Sequence, residues 1–261
     1  PRIVAVGAAP SACTSASSSS ATGCGRTAAV VREDGAQAAQ GGAVPELQRA
    51  PMAARDVERD GEAEPDARVS VVLLTGSGPS FSVGTDAGRS TGAAGPAAML
   101  ELATVVDEVL RLLESATRPT IAGVDGLAAG AGLSLVLGCD LAIATGRATF
   151  SITAPGRPAI PDIGLTWLLP RAVGSQRALS LALVDETIDA ERAHQWGLVA
   201  QVVDADEFAE HAQELVGRIG GEHAWATNQT RRLMRRTWET SRQETTESEA
   251  ATLARALMRA R

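Results

Sequence analysis

The chain has 261 residues, 44% of them hydrophobic and 21% charged, which indicates a globular protein with one sizeable core and excludes a disordered or fibrous class. Its apolar stretches, such as Leu133–Leu137, are far shorter than the roughly 20 residues that cross a bilayer, so we expect no membrane segment. The net charge is −7, with 24 arginines, no lysine and no concentrated basic stripe, so we expect no nucleic-acid partner.

Cysteine usage and the N-terminus bear on cofactors and compartment. The cysteines at positions 13, 24 and 139 have neither metal-ligand spacing nor an even number suited to a disulfide framework. We therefore expect free thiols and no metal. The N-terminus lacks the basic, apolar and small-residue progression of a secretory signal, so we expect a cytoplasmic protein.

Residues 1–42 form an atypical, low-complexity segment. Ser11–Gly25 is almost wholly Ser, Ala, Thr, Cys and Gly, which cannot bury enough apolar surface to offset the entropy of ordering. Short apolar runs at Arg2–Val6 and Ala28–Val31 are candidate edge strands, and Glu46–Arg59 is a candidate helix. The predicted organisation is this segment, a core at 43–203 and a C-terminal helical region at 204–261.

A buried parallel sheet is predicted from residue 68 onward. Val69–Thr75 is a β-branched, nearly continuous apolar run closed by Gly76, as expected of a strand covered on both faces. A helix at Pro96–Glu114, a strand at Thr120–Val124, a Gly-rich turn, a short helix at 131–137 and a strand at 140–144 follow. Because strands and helices alternate, the predicted class is α/β with right-handed crossovers.

The second half is predicted to be mainly helical. A Pro/Gly-rich loop at Thr153–Gly164 precedes helices at 165–173, 177–183 and 190–196, and Gly197 is the expected C-cap of the last. A strand is predicted at Leu198–Val203, and the chain from Glu207 is predicted to be helical throughout. In this tail the cluster Arg231, Arg232, Arg235 and Arg236 predicts a basic helix face, which we interpret as solvated or inter-subunit.

Two Gly-rich segments are candidates for binding an anion. The first, Gly78–Asp86 (GPSFSVGTD), directly follows the buried strand, where glycine lets the backbone approach a ligand closely. The second, Asp125–Gly132 (DGLAAGAG), leads into a short helix whose free amides and dipole favour negative charge. By spacing alone, the second segment is equally a phosphate cradle or a simple tight turn.

Four segments taken together are more specific than the two Gly-rich segments alone. They are Phe81–Asp86, Ile121–Ser134, Ile160–Arg171 and Ala193–Leu198. In the order and spacing of these segments, the chain from Arg68 to Val203 resembles the crotonase (enoyl-CoA hydratase/isomerase) superfamily. Within that superfamily, the segments are most similar to those of the epoxyphenylacetyl-CoA isomerases.

The resemblance implies a fold, a substrate and a site. The fold is an α/β, crotonase-like spiral of ββα units with a C-terminal helical trimerisation region, assembled as a homotrimer or a dimer of trimers. An acyl-CoA thioester would lie between the two Gly-rich segments, with no cofactor besides the coenzyme A of the substrate. The oxyanion hole carries over onto the backbone N–H groups of Thr85 and Ala131, which would hold the negative charge that develops on the thioester oxygen.

The remaining site residues also follow from the resemblance. Asp86 has an alternative role in capping a helix or ordering the loop, and Trp167 has an alternative role in the core. The residues expected around the substrate are Ser82, Val83, Gly84, Asp86, Ala129, Gly130, Ser134, Ala154 and Trp167.

The acid and base residues depart from those of the hydratases. The two positions that carry glutamates in hydratases are Ser134 and Ala154 here, and neither residue is an effective acid or base alone, so ordinary hydration is disfavoured. Asp162 is the carboxylate that remains, and the resemblance implies a proton-shuttling role. Its alternative role is to cap the helix that begins near Gly164.

Three functions stay open at this point. The first is an acyl-CoA isomerase that shifts a double bond through an enolate. The second is a crotonase-fold protein that binds or assembles with CoA thioesters without catalysis, which the missing glutamates would explain. The third is a hydratase or decarboxylase of a tailoring pathway.

Overall fold

The computed structural model describes residues 2–4, 27–28, 69–76, 79–84, 95–153, 161, 164–221 and 223–259. The strands are β1 Arg2–Val4, β2 Thr27–Ala28, β3 Val69–Gly76, β4 Ser80–Ser82, β5 Thr120–Val124, β6 Leu127–Ala129, β7 Leu141–Thr145, β8 Thr149–Ser151, β9 Ile188–Asp189 and β10 Gln201–Val203. The helices are α1 Gly95–Ser115, α2 Ala131–Gly138, α3 Leu165–Val173, α4 Ser175–Val184, α5 Ala190–Trp196, α6 Phe208–Ile219, α7 Ala224–Arg236 and α8 Arg242–Arg259.

Two sheets organise the described residues. The larger has the order β1-β3-β5-β7-β10, with all of these neighbours parallel and β2 antiparallel to β3. The smaller has the order β4-β6-β8-β9. Successive pairs β3–β4, β5–β6 and β7–β8 each give their first strand to the larger sheet and their second to the smaller one, and each pair is followed by a helix. This repeat is a spiral of ββα units.

The central strand of the larger sheet, β5, is buried on both faces. All five residues of β5 are buried, and neighbouring residues on a strand point to opposite faces. Ile121 packs with Val71, Ile143 and Val216 of α6, whereas Ala122 belongs to the larger core cluster around α2 and α3. Burial on both sides explains why β3 and β5 are nearly continuous apolar runs without alternation.

Most of the predicted elements are confirmed within one or two residues. The helix at 190–196 ends at Gly197, which has a φ of 82° and is the predicted C-cap. The strand predicted at 198–203 is confirmed only over Gln201–Val203, and the predicted strands at 2–6 and 28–31 are described only at 2–4 and 28. The predicted helix at 46–59 lies outside the described residues.

Two predictions about the chain are corrected. The tail is not helical throughout, because turns around Gly220 and Thr237 divide it into α6, α7 and α8. The segment 127–129, predicted as part of a Gly-rich turn, is strand β6 of the smaller sheet. Among the described helices, none combines the length and the apolarity that a bilayer crossing requires.

Candidate active site

The two Gly-rich segments meet at one edge of the smaller sheet. Strand β6 lies parallel to β4 on one side, with Ala128 opposite Ser82, and parallel to β8 on the other, with Ala129 opposite Ser151. The carboxyl ends of parallel strands share an edge, so the segment after Ser82 and the segment after Ala129 emerge side by side. The topology therefore brings together residues that are more than forty positions apart in the chain.

Gly84 makes close contact with the second segment. It has a φ of 82°, and its N–H donates to Ser82 Oγ at 3.3 Å. A Cβ atom on Gly84 would lie 2.8 Å from the carbonyl oxygen of Ala129 and 3.4 Å from the amide nitrogen of Ala131. Both the backbone conformation and the available space thus require glycine here, and the chain just before Thr85 lies against the Ala131 amide.

The Ala131 amide opens helix α2. Its N-cap is Gly130, with φ 54° and ψ −125°, and the Ser134 N–H donates to the Gly130 carbonyl at 3.1 Å. The N–H of Ala131 precedes that first helical hydrogen bond, so it has no acceptor in a preceding turn and lies at the positive end of the helix dipole. Helix and strand also approach closely, since a Cβ on Gly132 would lie 2.5 Å from the Ser82 carbonyl oxygen.

Ser134 brings a buried polar group to the same helix. Its side chain is fully buried, and its hydroxyl has no hydrogen-bond partner among the residues that the structure describes. It follows Ala131 by three positions, so the two residues share a face of α2. An unpaired buried hydroxyl costs about 1–3 kcal/mol, which a polar group of a ligand would offset.

The structure describes some of the other predicted site residues and not the rest. Ser82, Val83, Gly84, Ala129 and Gly130 lie on the two converging segments, together with Ala131. Thr85, Asp86, Ala154 and Asp162 lie outside the described residues. The N-cap position of α3 belongs to Gly164, with a φ of 79°, and not to Asp162 two residues earlier.

Trp167 lies on the surface of α3, so its interpretation as a core residue is wrong. The side of α3 that packs inward carries Leu165, Leu168 and Leu169, and Trp167 stays 40% exposed. Its ring packs edge-to-face on Trp238, with centroids 5.5 Å apart, and the Arg171 guanidinium lies 4.1 Å from its centroid. This contact joins α3 to the turn after α7, and the substrate-binding role of Trp167 stays a prediction.

An ion pair that sequence reasoning missed holds the turn between β5 and β6. The Asp125 carboxylate accepts from Thr145 Oγ1 at 2.7 Å and from Arg147 Nη2 at 2.6 Å. Burial alone would raise the pKa of Asp125, but the hydrogen bonds from Arg147 and Thr145 and the charge of Arg147 outweigh it and lower that pKa. Asp125 therefore stays ionised and structural. No sequence signal linked it to Arg147, 22 residues away.

A second, less exposed ion cluster holds the far end of α2. Asp140 accepts from the Thr120 N–H at 2.7 Å, from Arg231 Nε at 2.6 Å and from Arg235 Nε at 2.8 Å. Arg235 also donates to the Gly138 carbonyl at 2.7 Å. Only 10% and 21% of the Arg231 and Arg235 side chains are exposed, so the prediction of one solvated or inter-subunit basic face is wrong for these two arginines.

Comparisons with known proteins agree with this architecture. A family profile described as enoyl-CoA hydratase/isomerase matches residues 61–259. The chain is 41% identical over 161 residues to 1,2-epoxyphenylacetyl-CoA isomerase from Escherichia coli (strain K12), covering 60% of this chain and 62% of that protein. It is 33% identical over 190 residues to 4-chlorobenzoyl coenzyme A dehalogenase-1 from Arthrobacter sp, covering 71% of this chain and 67% of that protein.

A solved structure shares the fold. A protein from Thermobifida fusca YX, assigned as an enoyl-CoA hydratase and solved in complex with CoA, superposes with a TM-score of 0.65 and 31% identity. The match covers 74% of this chain and 78% of that one. The chain therefore belongs to the enoyl-CoA hydratase/isomerase family, and its spiral of ββα units is the crotonase fold.

Proposed function

We propose that this protein is an acyl-CoA isomerase that shifts a double bond, or performs related enolate chemistry, next to a thioester. The backbone N–H groups of Thr85 and Ala131 hold the thioester oxygen, and Asp162 moves the proton. The acyl chain lies between the two converging segments and contacts Ser82, Val83, Ala129 and Gly130.

The close approach of Gly84 to Ala131 carries the proposal. A Cβ on Gly84 would lie only 3.4 Å from the Ala131 nitrogen, so the described end of the first segment lies beside the N-terminal amide of α2. Two amide donors on one oxygen stabilise an enolate by about 3–4 kcal/mol each when they are preorganised. The close approach of the two backbones at Gly84 supports such preorganisation.

The chemistry needs one base and one oxyanion site. Asp162 removes a proton from the carbon beside the carbonyl or from the γ-carbon, and the electron pair of that C–H bond moves onto the thioester oxygen. The enolate collapses when the same carboxylic acid returns the proton to the other carbon, so substrate and product have the same composition. Only a proton and an electron pair move, so coenzyme A enters as part of the substrate and no other cofactor is required.

The residue at Ser134 separates isomerisation from hydration. Hydration requires a base that activates water, and a serine hydroxyl without a partner does not supply one. The buried Ser134 hydroxyl instead suits a hydrogen bond to a polar atom of the acyl group. Among the relatives, the one that is 41% identical is named as an isomerase, which also supports the proposal.

Proton exchange in heavy water tests the acid-base step. The protein is incubated with crotonyl-CoA, 3-enoyl-CoA and phenylacetyl-CoA, and deuterium beside the carbonyl is measured by mass spectrometry. We expect incorporation by the wild type and a loss of at least 100-fold in Asp162→Asn, with thioester binding retained. Full exchange by Asp162→Asn, or no exchange of a thioester that binds, contradicts the proposal.

A matched glycine pair tests the oxyanion site. A Cβ on Gly84 would strike the Ala129 carbonyl, whereas a Cβ on Gly146 meets nothing within 4 Å. We expect Gly84→Ala to lower kcat by about 100-fold or more and Gly146→Ala to leave it unchanged. Circular dichroism verifies that both variants fold. A folded Gly84→Ala variant with normal kcat rules out the proposed geometry.

A second candidate function follows from the same serine. Without a glutamate at Ser134, the protein is alternatively a CoA-thioester binding or assembly subunit that performs no chemistry. Thermal stabilisation by acyl-CoA in the absence of both deuterium exchange and turnover distinguishes this candidate from the isomerase.

A further inference from the structure

We propose that Asp185 is a positioning residue for the oxyanion site and acts through a chain of hydrogen bonds that ends beside the Ala131 amide. Asp185 has a φ of 54° and a ψ of 46°, and among the described residues it is the only one besides glycines with a positive φ. A side chain in this conformation costs free energy and persists only where the surrounding structure holds it. The inference rests on the proposed oxyanion role of Ala131.

The first bond of the chain joins Asp185 to Thr153. The Asp185 carboxylate accepts from Thr153 Oγ1 at 3.2 Å. The sheet brings the two residues together, because β8 and β9 are antiparallel with Phe150 opposite Ile188. If this register is continued for three residues, Thr153 comes opposite Asp185. The left-handed conformation of Asp185 turns the chain from α4 towards β9 at this point, so the carboxylate meets the residue that follows β8 by two positions.

Ser151 continues the chain from Thr153 to the second Gly-rich segment. Its hydroxyl donates to the Thr153 carbonyl at 2.7 Å, and the residue is buried. Its own carbonyl accepts from the Gly130 N–H at 3.4 Å. Ile152, which lies between the two bonded residues, is buried in the larger core cluster, and this limits the movement of the turn. An exposed carboxylate is thereby connected to the residue that precedes Ala131.

Gly130 is held on both sides, and this fixes the direction of the Ala131 N–H. Its N–H donates to Ser151, and its carbonyl accepts from the Ser134 N–H at 3.1 Å. The Gly130 carbonyl and the Ala131 N–H belong to one planar peptide unit, so bonds that orient Gly130 also orient that N–H. Stabilisation of an oxyanion depends on donors that already point at it. Loss of the Asp185 carboxylate should therefore lower the rate of the reaction more than the affinity for the thioester.

Amide hydrogen exchange of the full chain without ligand tests the chain of bonds independently of the reaction. We expect the Gly130 N–H to exchange about three-fold faster, or more, in Asp185→Gly and in Thr153→Val than in the wild type, as measured by NMR. Glycine adopts a positive φ without strain, so Asp185→Gly removes the carboxylate without disturbing the backbone. Asp185→Asn should keep the wild-type exchange rate, because its amide oxygen still accepts from Thr153 and asparagine tolerates this conformation.

The neighbouring carboxylate provides the matched control. Glu186 pairs with Arg192 and not with Thr153, so Glu186→Gln should leave the exchange of the Gly130 N–H unchanged. Unchanged exchange of that N–H in Asp185→Gly, or an equal increase in Glu186→Gln, overturns the proposal.

Steady-state kinetics then measures the effect on the reaction. With a thioester that the wild type converts, we expect Asp185→Gly to lower kcat about five-fold with little change in KM, and Asp185→Asn to restore kcat. A wild-type kcat in Asp185→Gly overturns the positioning role. Failure of the isomerase proposal is recognised separately, because the wild type then incorporates no deuterium into any thioester that binds. In that case the exchange of the Gly130 N–H alone decides whether Asp185 positions the Ala131 amide.

Discussion

Helix α7 carries two pairs of arginines that lie in different environments. The inner pair, Arg231 and Arg235, is largely buried and binds Asp140 and backbone carbonyls at the ends of α1 and α2. The outer pair, Arg232 and Arg236, is one residue further along, is exposed and lines a surface pocket between α7 and α8 together with Arg255. A rotation of about 100° around one helix thus separates arginines that stabilise the fold from arginines on the solvent side.

This comparison shows that residue type and spacing do not define the role of a charge cluster. The four residues look alike in the sequence, and the difference between them comes from what the rest of the chain presents to each face. The inner face meets Asp140, whereas the outer face meets hydroxyl groups and a third arginine. Variants on the two faces should therefore affect different properties.

Removing the carboxylate that the inner pair shares should have the largest effect on stability. We expect Asp140→Ala to lower the free energy of unfolding by about 3 kcal/mol, because it leaves two largely buried guanidinium groups without a counter-charge. Asp140→Asn should cost less, since the amide oxygen still accepts the Thr120 N–H. Urea denaturation measures both values. A loss below about 1 kcal/mol in Asp140→Ala would show that the cluster contributes little.

Neighbouring arginines provide a matched test of the two faces. We expect Arg235→Ala to lower the free energy of unfolding by about 1–2 kcal/mol, because it removes hydrogen bonds to Asp140 and to the Gly138 carbonyl. Arg236→Ala should leave that free energy unchanged within error, because this side chain is exposed. Urea denaturation of both variants checks this. The reverse order of stabilities contradicts the assignment of the faces.

The rate at which Cys139 is labelled measures how readily the region around Asp140 and Arg235 opens. Burial, and then the charge of Asp140, raise the pKa of this thiol to about 12, so very little of the thiol is ionised at pH 8. We expect Cys139 to be labelled by iodoacetamide far more slowly than an unfolded cysteine, and more quickly in Arg235→Ala than in Arg236→Ala. Peptide mapping by mass spectrometry isolates Cys139 from the other cysteines. Equal rates in the two variants would mean that Arg235 does not hold this region closed.

Arg147 is exposed but forms an ion pair with Asp125, so its removal tests pairing without burial. We expect this variant to show the smallest loss of stability. The pKa of Asp125 is lowered, so its bond to Arg147 stabilises the protein above about pH 4, and this contribution disappears as the pH falls through that lowered pKa. Arg147→Ala should therefore destabilise slightly at pH 7, and progressively less as the pH falls below about 4. Thermal unfolding at pH 7 and at pH 3 measures this. A loss that does not shrink between these two pH values would implicate packing.

The sequence predicted the parts of the site that depend on backbone geometry. Gly84 and Gly132 stand where a side chain would strike a neighbouring carbonyl, and such positions are visible as glycines in a pattern. The short strands of the smaller sheet were missed, because three residues such as Leu127–Ala129 carry too little β-propensity to be distinguished from a turn. The contacts of Asp140 were missed as well, since no local pattern links it to an arginine 91 residues later.

The reach of Arg231 has a consequence for folding. Its partners Asp140 and the Leu113 carbonyl lie 91 and 118 positions earlier in the chain, so these bonds close only after the intervening strands have assembled. We therefore expect α7 to dock late during refolding and to detach early during unfolding. Hydrogen exchange in the native state should show α7 opening at a lower free energy than β5. The C-terminal helices should therefore pack only onto a sheet whose strands have already assembled.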